Sequence, residues 1–156
     1  MFVKQHVILG GLFALALFLF FPEIGLINTS LIFLSSVLID VDHYLYYVHK
    51  RKNWSLKKAH KWFVINVEEK LIVIPKTQRS RFYGGFFFLH GIEFLIISFL
   101  LIFLSKYFLF IFTGGTFHLL FDIVEETRYH NRIDKFSSIY DWKKFKKLTP
   151  IEKYGK

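Results

Sequence analysis

The chain alternates between long apolar runs and shorter polar stretches. Apolar residues dominate positions 7–21, 24–39, 83–105 and 107–124, whereas 49–81 and 129–156 are polar and rich in lysine and arginine. A helix that crosses a bilayer needs about 20 predominantly apolar residues. The pattern therefore predicts four transmembrane helices, over about 2–21, 24–48, 83–105 and 107–128.

The polar positions between these runs predict how the helices are connected. Pro22-Glu23 and Ser105-Lys106 are long enough only for tight turns, while residues 49–81 form a hydrophilic insert. We expect an all-α polytopic membrane protein, with a transmembrane domain over 1–128 that contains the insert, and a basic cytoplasmic tail over 129–156. Within the insert, 62–67 and 70–74 are rich in β-branched residues, which leaves a small hairpin and an interfacial helix both open.

The composition agrees with a membrane protein and restricts its chemistry. Of 156 residues, 53% are hydrophobic and 21% aromatic, which is more apolar than an ordinary soluble domain of this size. Cysteine is absent, so disulfides and thiolate metal sites are both excluded. Any metal must therefore be bound by imidazole and carboxylate groups.

The net charge of +9 is concentrated in the insert and the tail. The insert contains ten lysines and arginines against only Glu68 and Glu69. Because lysine and arginine in short loops favour the cytoplasmic side, we expect the insert and both termini to lie in the cytoplasm at the inner or plasma membrane. The same charge favours anionic lipid headgroups as a partner. Nucleic-acid binding is the minority interpretation, since no recognition module accompanies the charge.

Each apolar run carries ionisable residues near one end. They are His6 in the first run, Asp40, Asp42 and His43 in the second, His90 and Glu93 in the third, and His118 and Asp122 in the fourth. At 1.5 Å per helical residue, all lie about 8–15 Å from the same membrane face, because successive helices run in opposite directions. The spacings of His118/Asp122, His90/Glu93 and Asp40/His43 place each pair on one helix face, whereas Asp42 points elsewhere unless the helix is distorted.

These side chains together predict a metal site. Taken singly, an intramembrane histidine can be a helix–helix hydrogen bonder, and an acid can be interfacial or paired with a loop lysine. Several carboxylates at one depth, however, repel each other unless a cation or protons neutralise them. We expect one or two divalent ions, Zn²⁺ first and Mn²⁺ or Fe as alternatives. The predicted ligands are His6, Asp40, Asp42, His43, His90, Glu93, His118 and Asp122; the solvated His49, His60 and His130 are left out.

Four segments of the sequence resemble a known family. They are His6, Leu38-Ile39-Asp40-Val41-Asp42-His43, Leu89-His90-Gly91, and Gly114-Gly115-Thr116-Phe117-His118-Leu119-Leu120-Phe121-Asp122. Over most of residues 1–125, the chain is similar to the membrane-bound metal-dependent hydrolases related to a LexA-regulated bacterial inner-membrane protein. It departs from them at Ile39, where the family has a proline, and in lacking a His-Arg pair before the later histidine.

The resemblance and the ligand set together favour a metal-dependent hydrolase at the cytoplasmic membrane surface. A phosphoester or phospholipid is the expected substrate, because the site faces the headgroup layer and basic side chains lie nearby. Asp42 and Glu93 are the candidate general bases if they are not ligands. The alternatives are a metal- or proton-coupled transporter and a non-catalytic metal-binding membrane protein. A di-metal carboxylate oxidase would need two Glu-x-x-His elements, and the chain has none.

Overall fold

The computed structural model describes residues 3–130 and 135–155, so parts of the predicted tail, 131–134 and 156, lie outside the described residues, as do residues 1–2. The helices are α1 (Val3–Phe20), α2 (Gly25–Leu38), α3 (Val41–Arg51), α4 (Leu56–Phe63), α5 (Glu69–Val73), α6 (Lys76–Arg79), α7 (Ile92–Leu101), α8 (Tyr107–His130) and α9 (Ser138–Phe145). A π-helical turn, Val64–Glu68, joins α4 to α5, and 3₁₀ turns lie at Pro22–Ile24 and Ile151–Lys153. The mostly helical chain confirms the predicted class at that level.

Helix α8 lies at the centre of the apolar part of the molecule. Its 24 residues extend for about 36 Å, and it packs against α1, α2 and α7. A Cβ atom at Gly114 would overlap the Ile32 carbonyl and the Ser35 hydroxyl of α2. The absent side chain therefore lets the two backbones approach closely, as small residues do between membrane helices. This close approach places His118, one turn further along α8, against the end of α2.

The second apolar run is interrupted between α2 and α3. Asp40 N–H donates to Val37 O at 3.3 Å, three residues back instead of four. The Ser36 carbonyl, which an unbroken helix would pair with Asp40, accepts a hydrogen bond from His118 Nδ1 at 2.7 Å instead. The helix is thus distorted although the residue at position 39 is an isoleucine and not a proline. The distortion turns Asp42 toward the chain that precedes α7.

The third apolar run differs from the prediction of a helix over 83–105. Helix α7 begins only at Ile92 and covers 10 residues, about 15 Å, half the thickness of the hydrocarbon core. Gly84, Gly85 and Gly91 disfavour a helix before it. Backbone donors there also have other partners, since Leu89 N–H donates to Asp42 and Ile92 N–H to the Phe136 carbonyl. His90 therefore lies in a turn and not on a helix face.

Two helical stretches of the described chain are long and apolar enough to cross a membrane. They are Pro22–Arg51, which includes the α2–α3 break, and Tyr107–Arg128. The apolar helices Gln5–Phe20 and Ile92–Leu101 are shorter. Membrane-type helices are thus present in two of the four predicted places, and the four-span arrangement stays a prediction.

The hydrophilic insert is helical, which resolves the alternative between hairpin and helix. Its α4 packs on α3 through a small apolar cluster of Tyr47, Val48, Ala59 and Trp62. The described part of the tail folds back onto the insert: strand β1 (Phe82–Tyr83) pairs in parallel with β2 (Thr149–Pro150), and Lys50 Nζ lies 2.7 Å from Glu152 Oε1. The insert and the tail therefore form one layer at the polar end of the helices.

Candidate metal centre

Five of the predicted ligands converge at the polar end of the apolar helices. His6 comes from α1, Asp40 from the α2–α3 break, His90 from the turn before α7, and His118 and Asp122 from α8. The three imidazoles and Asp122 are at most 3% exposed. The predicted convergence of the four apolar runs is thus present, although the third run contributes a turn where a helix was expected.

Four donor atoms form a compact group. The Nε2 atoms of His90 and His118 are 3.1 Å apart. Asp122 Oδ2 lies 3.3 Å from the first and 3.4 Å from the second, and Asp40 Oδ1 lies 3.3 Å from His90 Nε2 and 3.8 Å from His118 Nε2. Four ligands at the roughly 2.0–2.1 Å typical of zinc would be about 3.3 Å apart in a tetrahedron. Each of the two carboxylate oxygens, taken together with the two Nε2 atoms, therefore already has nearly the spacing of a coordination shell.

His6 approaches the same two carboxylates from the other side. Its Nε2 lies 3.3 Å from Asp122 Oδ1 and 4.0 Å from Asp40 Oδ2, and its ring stacks on His118 at 3.9 Å. Neither His6 Nε2 nor Asp40 Oδ2 has a hydrogen-bond partner among the described residues, although both atoms are buried. Each carboxylate thus directs one oxygen to the His90/His118 pair and the other to His6. This donor set fits one ion and has enough oxygens for a second.

Each of the two central histidines, His90 and His118, is oriented by a partner of its Nδ1 atom, on the side of the ring away from the cluster. His118 Nδ1 donates to the Ser36 carbonyl at 2.7 Å, and His90 Nδ1 contacts Asp42 Oδ2 at 3.0 Å. A carbonyl can only accept a hydrogen bond, so the proton of neutral His118 is on Nδ1 and its Nε2 carries the lone pair. Asp42 favours the same tautomer of His90. Such outer partners are typical of metal-binding histidines.

Asp42, which we predicted as a ligand or general base, occupies this outer position. It is 1% exposed, and its Oδ2 also accepts the Leu89 N–H at 2.8 Å. Its Oδ1 contacts His43 Nδ1 at 3.0 Å. Among the described residues, Asp42 shares a possible ion-binding group with His43 and His90, and this group differs from the one of Asp40, His90 and His118. Because its oxygens already accept from three donors, its placement favours an orienting role.

His43 lies between this outer position and the molecular surface. Its Nδ1 is 3.0 Å from Asp42 Oδ1 and 3.4 Å from Asp40 Oδ1, and its ring stacks on Phe87 at 3.7 Å. Its side chain is 19% exposed, whereas His90 is fully buried. Among the described residues, His43 is therefore a histidine that contacts the cluster and is also accessible from outside.

The structure does not bring Glu93 to the cluster. Its carboxylate accepts hydrogen bonds from Ser137 Oγ at 2.6 Å, Ser138 N–H at 3.0 Å and Ile139 N–H at 3.3 Å. These donors surround the N-terminus of α9, where a negative charge is favoured by the helix dipole. Glu93 therefore attaches the tail to α7.

Lys135 belongs to the centre and was missed by sequence reasoning. Its Nζ lies 2.9 Å from Asp122 Oδ2, and its side chain is 11% exposed. Burial alone would lower the pKa of this ammonium, but the neighbouring carboxylates, led by Asp122, outweigh it and raise the pKa. Lys135 therefore stays charged beside the cluster. A lysine-rich tail contains no pattern that would distinguish this lysine from its neighbours.

The backbone of Lys135 is also unusual. Its φ of 60° lies in the left-handed region, which side chains other than glycine rarely adopt, and its N–H donates to Asp141 Oδ2 at 2.6 Å. Strained residues of this kind are held in place by their surroundings and concentrate at functional sites.

The groups around His90 shift its pKa in opposite directions. Burial and the charge of Lys135 lower the pKa of His90, but its contacts with Asp40 and Asp42 outweigh them and raise it above the usual 6.5. Without a metal ion, the cluster therefore holds a proton at His90 to a higher pH than a free imidazole would.

A chamber of about 740 Å³ adjoins the cluster. It lies between the α2–α3 break on one side and α4, the π-helical turn and α5 on the other, and Asp40, His43 and Lys135 are among the residues that line it. The insert therefore covers this side of the site. Comparison of the chain with protein-family models, curated proteins and solved structures gives no match, so the interpretation of this centre depends on its own geometry.

Proposed function

We propose that the protein is a metal-dependent hydrolase that acts at the cytoplasmic surface of a membrane on a phosphoester or phospholipid. One observation carries the proposal: the Nε2 atoms of His90 and His118 are 3.1 Å apart although both Nδ1 atoms already contact acceptors. Two imidazole lone pairs at that distance repel each other unless a cation or proton lies between them. The carboxylates of Asp40 and Asp122 add to the attraction for a divalent ion.

The access to the cluster favours a catalytic site over a structural one. Structural zinc sites are closed, whereas catalytic sites keep a position for water or substrate. Asp40 and His43 line the chamber, so the cluster can be reached from outside. A bound Zn²⁺ would supply water of lowered pKa and would stabilise negative charge.

The protein's own residues have separable roles in this proposal. His6, Asp40, His90, His118 and Asp122 hold the metal, and Asp42 orients His90 and His43 through its two oxygens. His43 is the proposed proton-transfer residue, because Asp42 holds its Nδ1 while its ring lines the chamber. Proton transfer needs a group within hydrogen-bond reach of the reacting atoms, and the placement of Glu93 at α9 does not provide it.

Several observations support a membrane setting for this chemistry. Only 17% of the apolar window within Pro22–Arg51 is buried inside the protein, and 28% of that within Tyr107–Arg128. The core helix of a soluble protein would be mostly buried, whereas these helices expose residues such as Leu26 and Val124. The cluster lies at the end where the insert and tail carry the positive charge, which agrees with a cytoplasmic, headgroup-facing site.

The topology can be tested with single cysteines, since the chain has none of its own. In intact cells, neither Lys57→Cys nor Lys146→Cys should react with an impermeant maleimide. Both should react once the membrane is permeabilised, so that the reagent reaches the cytoplasm. Lys106→Cys, in the opposite turn, should react from outside. Labelling of positions 57 and 146 on opposite faces would overturn the four-span arrangement.

The reaction itself can be tested with protein purified in detergent and loaded with Zn²⁺ or Mn²⁺. We expect one or two equivalents of metal by elemental analysis, and hydrolysis within a panel of phosphoesters and phospholipids. His43→Gln should keep the metal and lose turnover. Metal binding without any hydrolysis, together with His118-dependent metal flux into proteoliposomes, would replace the hydrolase by the transporter.

A further inference from the structure

The chamber has an apolar body that the metal centre does not use. Asp40, His43 and Lys135 of its lining contact the cluster, whereas Val67, Leu71, Phe63 and Ala59 of the insert line it with apolar side chains. Ligand pockets are typically 300–1,000 Å³, mostly apolar, with a few polar groups that fix the orientation of the ligand. At about 740 Å³, the chamber has the size and the lining of such a pocket.

The chamber opens sideways through apolar residues. Leu38 and Val41 at the α2–α3 break are 56% and 42% exposed, and Leu56 and Ile72 of the insert are each 70% exposed, yet all four line the chamber. Leu38 and Val41 belong to a stretch apolar enough to cross a membrane. An apolar chain can therefore pass from the bilayer into the chamber without entering water.

Lys135 places an ammonium group in the lining of the chamber. Lys135 Nζ lies 2.9 Å from Asp122 Oδ2 and 5.5 Å from the centre of the Phe87 ring, and the contact of its backbone with Asp141 holds it there. Five carboxylates line the same chamber and disfavour an anion beside them, those of Asp40, Glu68, Glu125, Glu126 and Asp141. Because Asp122 already balances the charge of the Lys135 ammonium, an anionic group is favoured only where it contacts both Lys135 and a metal ion held by the cluster.

We propose that the chamber binds one apolar chain of a phosphate-headed lipid and that Lys135 binds its phosphate beside the metal centre. The role of this lipid as substrate rests on the proposed hydrolase function, whereas its binding requires only the chamber, Lys135 and the metal ion. Lys135 thereby selects lipids with an anionic headgroup, and the insert residues that line the chamber select an apolar chain.

Binding can be measured apart from turnover with radiolabelled dodecylphosphonate, whose C–P bond is not a hydrolysable ester. Full-length protein loaded with Zn²⁺ in a neutral detergent should bind it, and should bind dodecyltrimethylammonium and methylphosphonate at least tenfold more weakly. Equal affinity for the cationic probe would overturn the role of Lys135. Equal affinity for methylphosphonate would show a site for free phosphate and overturn the role of the chamber.

Two sets of variants locate the probe. Lys135→Gln should weaken dodecylphosphonate binding at least tenfold, whereas Lys106→Gln, at the far end of the helices, should leave it within twofold. Leu71→Trp and Val67→Trp should each fill the chamber and weaken binding to a similar extent. Val73→Trp is their control, because Val73 lies on the same helix as Leu71, is 70% exposed and does not line the chamber. Unchanged binding in Lys135→Gln, or in either chamber variant with metal content intact, would overturn the proposal.

The same variants separate this inference from the proposed function. If dodecylphosphonate binds as expected but no ester is hydrolysed, the hydrolase proposal fails and the lipid site stands. If esters are hydrolysed at the same rate by the wild type, Leu71→Trp and Lys135→Gln, the hydrolase proposal stands and the lipid site fails.

Discussion

Two pairs of residues with nearly the same sequence pattern differ in their placement. His118 and Asp122 are four positions apart on α8, and both reach the cluster, 3.4 Å from Nε2 to Oδ2. His90 and Glu93 are three positions apart, a spacing that also predicts a shared helix face. Only His90 reaches the cluster, while Glu93 binds the start of α9.

The difference arises from the backbone between the members of each pair. Helix α8 is continuous through positions 118–122, so its spacing determines a common face. The chain before α7 is not helical, because Gly91 precedes the first residue of the helix and Ile92 N–H donates to Phe136. Helical spacing predicts a shared site only where both residues belong to the same helix.

The largest expected effect comes from removing a central ligand of α8. His118→Ala and Asp122→Ala should each weaken Zn²⁺ binding by more than about 100-fold, beyond the roughly 10–100-fold typical of an outer partner. Titration with a competing chelator measures this loss. Retention of wild-type affinity in both variants would contradict the metal centre.

A smaller loss of metal affinity is expected from a change at Asp42, which contacts Nδ1 of the other central histidine, His90. Asp42→Asn keeps the shape of the side chain but weakens the hold on His90 Nδ1 and His43 Nδ1. Metal affinity should fall by about 10–100-fold, as for other outer partners. A loss as large as that of His118→Ala would instead indicate that Asp42 is itself a ligand.

The pH should act in opposite directions on metal affinity and on the stability of the metal-free protein. The pKa of His90 is raised above 6.5, so metal must displace a proton, and affinity should fall by up to about tenfold per pH unit below that raised pKa. In the metal-free protein, the proton on His90 stabilises the fold fully below pH 6.5. This contribution is lost as the pH rises through the raised pKa.

Both sides of this prediction can be measured. Metal titrations between pH 5.5 and 8 follow the affinity, and thermal unfolding of the chelator-treated protein over the same range follows the stability (these conditions are roughly those in which imidazole titrates). His90→Gln should flatten the pH dependence of stability. A metal affinity that is independent of pH would contradict deprotonation of the histidines on binding.

The smallest effect on the metal is expected at Glu93. Glu93→Gln should leave metal affinity within about twofold, since the carboxylate of Glu93 contacts the start of α9 and belongs to none of the possible metal-binding groups of the described residues. The variant should lose about 1–2 kcal/mol of stability, because its charge-assisted hydrogen bonds to Ser137, Ser138 and Ile139 become neutral or are lost. Chemical denaturation in detergent measures the second effect. Loss of metal would restore Glu93 as a ligand.

The break between α2 and α3 shows a further limit of the local pattern. A proline at position 39 would have predicted a distortion, but the residue there is Ile39, and yet the helix is interrupted. The partner of the freed Ser36 carbonyl is His118, 82 positions away. A hydrogen bond between distant residues therefore produces the distortion that turns Asp42 toward His90.

The sequence by itself determined the helical class and the chemistry of the donors. These follow from the length of the apolar runs and the absence of cysteine. Tertiary structure decided which side chains meet: it placed Asp42 behind His90, moved Glu93 to α9 and brought Lys135 to Asp122. The physical reason is that these three positions are set by contacts with distant turns and termini, for which sequence spacing carries no information.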